Sequence, residues 1–221
     1  MTTYIEQSYI FTDDYIGRIV LSDGTFVSKE NFNSSTMTPV AVVAGLKNDG
    51  SQIIAVGLQK GTSLRWAPSG TTGYNTKFTG IQGTETSGDM DGSDNWEYIC
   101  SVDTSGTQDA KTNYPAFNYA NTYGQTAGLT GTDFAYGWYL PAIAELKTVY
   151  DNKSVIQTSL DVVGGFTIGT SYYWSSTEYF TDLNFSIVDM FHWDFGNGYA
   201  SIMYTKAGSL DVLVVQAFNA Q

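Results

Sequence analysis

Cysteine is almost absent from this chain of 221 residues, since Cys100 is the only one. A single cysteine excludes an intrachain disulfide and any zinc site built on several cysteine ligands. Because Cys100 follows two apolar residues, we predict that it is a small buried hydrophobic residue. No apolar run approaches the roughly 20 residues that cross a bilayer, so no membrane insertion is expected. The first residues lack the basic and apolar regions of a cleaved signal peptide. The chain is therefore either not exported by such a signal or a domain of a longer exported protein.

Charged residues are also scarce, at 14% of the chain, and 22 acidic side chains outnumber 10 basic ones. The net charge of -12 repels phosphate backbones, so nucleic acid and anionic membranes are not expected partners. His192 is the only histidine, and no Gly-x-Ser-x-Gly elbow frames a nucleophile, although Ser175, Ser176 and Asp194 lie near it in sequence. The sequence therefore predicts a protein that is not an enzyme.

Aromatic residues, in contrast, are abundant: the chain has 16 tyrosines and 5 tryptophans. Together with serine, glycine and asparagine, these residues are typical of binding surfaces, because their rings give contact area at low entropic cost. A tyrosine-rich β protein with an uncharged surface has the same composition, so composition leaves both interpretations open.

Apolar runs separated by turn residues predict two hairpins in the first quarter of the chain, over residues 15–27 and 39–58. Residues 59–92, rich in Gly, Thr and Ser, predict a long ordered loop. Short helices are predicted at residues 96–100, 114–123 and 141–150, with Pro141 at the first position of the last one. Strands are predicted over 191–195, 199–204 and 211–218. The order predicts an α+β domain over residues 15–218, preceded by an N-terminal arm or linker over 1–14.

Three segments resemble one protein family. They read Gly-Trp-Tyr-Leu-Pro-Ala-Ile-Ala-Glu-Leu from Gly137, Tyr-Trp-Ser-Ser-Thr-Glu-Tyr from Tyr173, and Asp-Phe-Gly-Asn-Gly from Asp194. Their order is similar to that in the bacterial and phage domains that share the C-type-lectin-like fold of formylglycine-generating enzymes. Surface-protein domains of Bacteroides-like bacteria and variable proteins diversified by retroelements belong to this group.

The resemblance implies a single C-type-lectin-like domain with N-terminal hairpins, two or three helices and a β-rich C-terminal half. It also implies a ligand-binding face in the last part of the chain, at about residues 172–204, and a terminal strand that pairs near the N-terminal one. The enzymes of this family oxidise a cysteine with reactive cysteines of their own. Cys100 stands alone and outside the three segments, so the resemblance does not extend to that activity.

Within residues 172–204, strand alternation places Phe191, Trp193 and Phe195 in the core and His192 and Asp194 on the open face. The consecutive rings of Tyr179 and Phe180 cannot both face one core. The predicted ligand-binding residues are Tyr172, Tyr179, Phe180, Asp182, Asn184, His192, Asp194, Asn197, Tyr199, Ser201 and Met203. A solvated sheet face without a ligand is the alternative interpretation.

Two further motifs favour structural roles. Trp174 is predicted in the core, with Ser175, Ser176 and Thr177 hydrogen-bonded to backbone. Asp89, Asp91 and Asp94 offer oxygen ligands for calcium, but their spacing is not that of an EF-hand, and a solvated turn that caps the next helix is favoured. No cofactor is expected, and calcium is the one ion that the sequence leaves open.

The sequence thus predicts a recognition module that binds a protein or glycan receptor on another cell. The resemblance places it on a phage particle or a bacterial surface, as a receptor-binding protein or an adhesin. A structural or assembly subunit of a fimbria or particle, associating into homo-oligomers, is the alternative.

Overall fold

The computed structural model describes residues 10–47, 50–179 and 189–219 and shows a single α+β domain, as predicted. The strands among these residues, in chain order, are β1 (Ile19–Leu21), β2 (Phe26–Val27), β3 (Pro39–Lys47), β4 (Gln52–Gly57), β5 (Gly61–Arg65), β6 (Tyr172–Glu178), β7 (Met190–Asp194), β8 (Tyr199–Ser201), β9 (Ser209–Val212) and β10 (Val215–Asn219). They form two sheets of five strands each.

The first sheet has the order β10-β4-β3-β1-β2 and contains both predicted hairpins. β1 pairs with β2 and β3 with β4, each pair antiparallel. The predicted turn of the second hairpin includes Asn48 and Asp49, which lie outside the described residues. β10 pairs with β4 and not with the N-terminal strand, so the C-terminal end of the chain joins this sheet beside the second hairpin.

The second sheet has the order β5-β9-β6-β7-β8, with β6 and β9 parallel and the other pairs antiparallel. The prediction of one terminal strand over 211–218 is wrong, because β9 ends at Val212 in this sheet and β10 begins at Val215 in the other. The buried residues Leu213 and Val214 cross between the sheets. The predicted loop over 59–92 is also wrong in part, since β5 forms an edge of the second sheet.

Seven α-helices lie in the described residues, more than the two or three helices expected. They are α1 (Thr72–Asn75), α2 (Asn95–Val102), α3 (Ala110–Asn113), α4 (Pro115–Asn121), α5 (Tyr123–Thr126), α6 (Ile143–Asp151) and α7 (Lys153–Val163). The prediction of α6 is confirmed except at its start, where Ala142 is the N-cap and Pro141 precedes the helix. The sequence prediction missed α7, which ends at Gly164 in the left-handed conformation with φ of 70°. No described helix has the length and apolar character needed to cross a membrane.

Helices α6 and α7 cover one side of both sheets. Their buried residues, such as Leu146 and Leu160, share one cluster with Val42 of β3 and Trp193 of β7. A second cluster, rich in aromatic rings, covers the opposite side of both sheets. Each sheet is therefore packed on both faces over most of its area.

The packed domain begins before residue 15, within the segment predicted as an arm. The Phe11 backbone N–H donates to the Gly50 carbonyl at 2.8 Å. The Phe11 side chain is buried in the aromatic cluster and meets the ring of Tyr15 edge-on at 5.0 Å. Residues 1–9 lie outside the described residues, so the predicted arm is tested only from residue 10 onward.

Candidate functional site

Strand register brings the predicted site residues Tyr172, Asp194 and Tyr199 into one row. Asp194 of β7 pairs with Tyr172 of β6 on one side and with Tyr199 of β8 on the other. Paired residues of neighbouring strands point to the same face of a sheet. The side chains of Tyr172 and Tyr199 therefore lie on either side of Asp194 on the same face of the second sheet, which we call the outer face.

Three tyrosines and a methionine are exposed here: Tyr172 at 37%, Tyr199 at 47%, Met203 at 79% and Tyr204 at 37%. The rings of Tyr172 and Tyr204 pack against each other at 5.6 Å. We call these four residues the tyrosine patch. The predicted exposure is thus confirmed for the rings of Tyr172 and Tyr199 and for the apolar side chain of Met203. Tyr204, inside the predicted range of 172–204, was absent from the predicted residues.

His192 is not on the surface, and its predicted exposure is wrong. Its exposed fraction is 0%, and all five residues of β7 are buried. Alternation predicts one buried and one open face, but β7 lies between β6 and β8 and is covered on both faces. Phe191, Trp193 and Phe195 are buried on the helix side, as predicted.

The imidazole of His192 forms the floor beneath two members of the tyrosine patch. Ring centroids lie 5.6 Å away at Tyr172, 5.2 Å at Tyr204 and 5.9 Å at Trp174. Neither ring nitrogen has a hydrogen-bond partner of good geometry among the described residues. Burial lowers the pKa of His192 to about 4, against smaller opposing contributions from the Met190 backbone and Asp194. The imidazole is therefore neutral at physiological pH and acts as an aromatic packing element.

We expect the free energy of unfolding to rise by about 2 kcal/mol between pH 5 and pH 7 through His192 alone. The folded-state pKa lies below the unfolded-state value, so the unfolded chain binds the extra proton in this interval and loses that advantage as pH rises. The variant His192→Phe should lack this component of the pH dependence. Because the chain has one histidine, its NMR titration is unambiguous, and a midpoint near 6.5 would contradict the buried placement.

Asp194 and Ser201, also predicted as ligand contacts, are buried in structural roles. Asp194 Oδ1 accepts from the backbone N–H groups of Gly196 at 2.9 Å and Asn197 at 3.0 Å, and Oδ2 accepts from Asn197 Nδ2 at 2.7 Å. Burial acts to raise the pKa of Asp194, but these hydrogen bonds outweigh it and hold the pKa below its usual range. Ser201 Oγ accepts from the Met203 backbone. Both residues hold the turns that support the patch, while Asn197 itself is exposed at its rim.

Tyr179 lies on the other side of the sheet. It is half-buried, and its ring meets Phe191 edge-on at 5.1 Å in the cluster that packs on α6 and α7. Its predicted place on the same ligand-binding face as Tyr199 is therefore wrong. Phe180, Asp182 and Asn184 lie outside the described residues, so their predicted roles stay predictions.

The segment from Trp174 to Thr177 has the predicted structural role, except that Ser176 bonds a side chain and not the backbone. Trp174 is fully buried, and Ser175 Oγ donates to the Phe191 carbonyl at 2.8 Å. Thr177 Oγ1 accepts from the Ile143 backbone at 2.9 Å, and Ser176 Oγ accepts from Asn95 Nδ2 at 2.8 Å. These bonds join β6 to the starts of α6 and α2, so they fix the strand that presents Tyr172.

Two of the three aspartates considered for calcium bond other side chains of the protein. Asp91 Oδ1 lies 2.5 Å from Lys47 Nζ, and Asp89 Oδ2 accepts from Asn95 Nδ2 at 2.7 Å. Asp94 occupies the N-cap of α2 without a side-chain capping bond. In the described part of the chain, no three His, Cys, Asp or Glu side chains are grouped closely enough to hold a metal ion. Cys100, predicted as buried, is only half-buried.

No protein-family model matches this chain, and no curated protein sequence matches it.

Proposed function

We propose that this chain is a non-enzymatic recognition module of the C-type-lectin-like class that binds a receptor through the tyrosine patch. The observation that carries the proposal is the grouping of Tyr172, Tyr199 and Tyr204, all partly exposed, around one face of the second sheet. Exposed aromatic groups of this kind mark interaction sites, and tyrosine is enriched among residues that dominate binding energy.

The patch is exposed, yet its base is rigid. Tyr172 and Tyr204 rest on the buried ring of His192, which in turn packs against Trp174. Rings held in place lose little entropy when a partner binds, which favours affinity. The face is thus a preorganised set of contacts on strands that the core already fixes.

A protein receptor fits the patch better than a glycan does. Met203 is the most exposed of the four side chains at 79%, and an unbranched thioether adapts to irregular apolar partners. Asn197 supplies an amide at the rim, in keeping with the polar border of protein interfaces. A glycan receptor is the alternative that the binding experiment distinguishes.

The order of the three family-like segments supports the C-type-lectin-like assignment, as does the combination of two sheets with several helices in one α+β domain. Relatives of this kind display variable surfaces on bacterial cells or phage particles, so an adhesin or a phage receptor-binding protein is the proposed context. Retroelement diversification of residues 172–204 belongs to the same proposal. A reverse transcriptase gene with a near-copy of the 3′ coding end beside this gene would support it.

The test is to screen the purified chain against a library of displayed cell-surface proteins and a glycan array, and then to measure affinity with three single variants. We expect Tyr172→Ser, Tyr199→Ser and Tyr204→Ser each to weaken binding about tenfold or more, the usual effect at an interface hot spot. Tyr199→Ser should leave the melting temperature nearly unchanged, because Tyr199 is exposed at 47%. Tyr172→Ser and Tyr204→Ser also uncover His192 and should lower the melting temperature, so affinity is measured well below each transition.

Tyr136→Ser is the matched control, since Tyr136 is a tyrosine exposed at 71% and outside the patch. It should bind as the wild type does. Full affinity in all three patch variants would refute the proposed face. An open-ended, concentration-dependent polymer in light scattering, with no binder found, would favour a structural subunit instead.

A further inference from the structure

A second candidate binding site lies on the first sheet, away from the tyrosine patch. This sheet is curled strongly enough that Phe26 of β2 and Phe218 of β10, on strands at its two opposite edges, have ring centroids 6.5 Å apart. The curl leaves a pocket of about 640 Å³. Its volume is within the range of small-molecule sites, and it shares no lining residue with the patch.

Aromatic rings form the apolar part of the pocket wall. Phe11 and Phe134 are buried behind it, whereas Tyr15, Phe26 and Phe218 are half-buried and lie at its surface. Tyr15 and Phe26 meet edge-on at 5.6 Å, and Phe134 and Phe218 meet at 5.7 Å. These mutual contacts hold the rings in fixed orientations.

Polar groups border the rings. Asp133, Gln216 and Asn219 also line the pocket. Gln216 Nε2 donates to the Tyr136 carbonyl at 3.2 Å, while its Oε1 has no partner among the described residues. Asn219 Oδ1 accepts from Gln52 Nε2 at 2.7 Å, so its own amide N–H groups are directed elsewhere. The wall thus combines an acidic acceptor with two amides.

We propose that this pocket binds a neutral saccharide. A pyranose ring has an apolar C–H face, which packs on aromatic rings, and hydroxyl groups, which exchange hydrogen bonds with carboxylates and amides. The described residues that line the pocket include no Lys, Arg or His, and Asp133 together with the net charge of -12 disfavours anionic ligands, including acidic sugars. A purely apolar ligand would offer no hydrogen bond to the Asp133 carboxylate or to Gln216 Oε1, so these groups would gain nothing on binding.

The test uses the complete chain and a panel of neutral probes: the methyl glycosides of glucose, galactose and mannose, N-acetylglucosamine, and their common disaccharides. Binding is followed by ligand-observed NMR and by titration calorimetry. We expect at least one saccharide to bind, and Asp133→Ala and Asn219→Ala each to weaken it about fivefold or more, through the loss of one hydrogen bond to a hydroxyl. Both residues are exposed, so these variants should fold normally.

Tyr199→Ser is the control, because it alters the tyrosine patch and should leave saccharide binding unchanged. Choline and benzyl alcohol are the competing probes, since aromatic walls also take cations and plain aromatic rings. Binding of either one without any saccharide overturns the proposal, and so does the absence of binding across the panel. Saccharide binding that Tyr199→Ser abolishes and Asp133→Ala preserves places the sugar on the patch and likewise overturns the assignment.

Discussion

Replacement of Glu145 by alanine is expected to lower the free energy of unfolding by about 3–5 kcal/mol, the usual cost of removing one partner of a buried ion pair. Glu145 Oε2 accepts from the backbone N–H groups of Gly92 at 3.0 Å and Ala142 at 2.9 Å. Its Oε1 accepts from Tyr139 Oη at 2.8 Å and Lys47 Nζ at 3.0 Å. The substitution leaves all four donors without this acceptor inside the protein, and each such group is costly. Urea denaturation monitored by tryptophan fluorescence measures the effect.

Two further variants distinguish the effect of the buried Glu145 cluster from the effect of removing any charged side chain. Glu145→Gln keeps an acceptor for the backbone but turns an amide toward Lys47, so an intermediate loss is expected. Lys147→Ala breaks only the ion pair with Asp151 on the same helix, whose side chains are exposed at 39% and 50%. Its expected cost is below about 0.5 kcal/mol. If Glu145→Ala proved as mild as Lys147→Ala, the cluster would not hold α6 to the sheet.

The sequence predicts the helix that contains Glu145 but not the partners of that residue. Helical spacing of Ile143, Leu146 and Val149 is a local signal, and all three are buried. Lys47, in contrast, lies 98 residues from Glu145 in the chain. Lys47 approaches because β3 packs against α6, which Gly45 allows: a Cβ there would lie 2.2 Å from Thr148 Cγ2. A contact between residues so far apart in the chain leaves no short-range sequence pattern from which it could be predicted.

The strand at residues 191–195 shows a different limit. Alternation correctly separated the helix-facing rings Phe191 and Trp193 from His192, which points the other way. Alternation does not predict whether that other face is exposed to solvent or covered by further side chains. Here Tyr172 and Tyr204 lie over His192, so the polar residue of the pattern is internal.

The division of the predicted terminal strand into β9 and β10 likewise could not be predicted from the sequence. Residues 209–219 contain no glycine, proline or asparagine between Leu210 and Phe218 to mark an interruption. Yet β9 pairs with β5 and β6, whereas β10 pairs with β4. Leu213 and Val214 are fully buried between the two sheets, so an apolar crossing has the same composition as a continuous buried strand.

Lys206 is a charged residue whose burial the sequence does not reveal. It is a lysine with no exposed surface, and its Nζ donates to the carbonyls of Gly73 and Thr76. The ammonium also lies 5.0 Å from the ring of Trp66 and 4.9 Å from that of Phe78. Burial lowers the pKa of Lys206 to about 8, partly opposed by the charge of Glu178. The charged form is therefore held in the core at neutral pH at a cost in stability.

Because of this cost, the contribution of Lys206 to the free energy of unfolding becomes more favourable as pH rises into the alkaline range. The folded-state pKa of Lys206 is about 8 and the unfolded value about 10.5, so the unfolded chain binds more protons between these limits. The Lys206 contribution therefore favours folding more as pH rises, and it should add about 2 kcal/mol to the free energy of unfolding between pH 7 and pH 9.5. The destabilisation caused by burying the Lys206 ammonium is greatest below pH 8 and disappears above the unfolded-state pKa.

The measurement is the difference between wild type and Lys206→Met across this interval, because buried tyrosines contribute an opposite trend that both proteins share. Burial raises the pKa of Tyr123 to about 12, for example, and such groups favour unfolding as pH passes 10. The wild type should gain about 2 kcal/mol relative to the variant whatever the absolute stability of either. Glu178→Gln removes the opposing charge, so its gain should begin at lower pH than that of the wild type. Parallel stability curves for wild type and Lys206→Met would mean that the ammonium reaches water, and that the aromatic cluster around Trp66 and Phe78 is open rather than sealed.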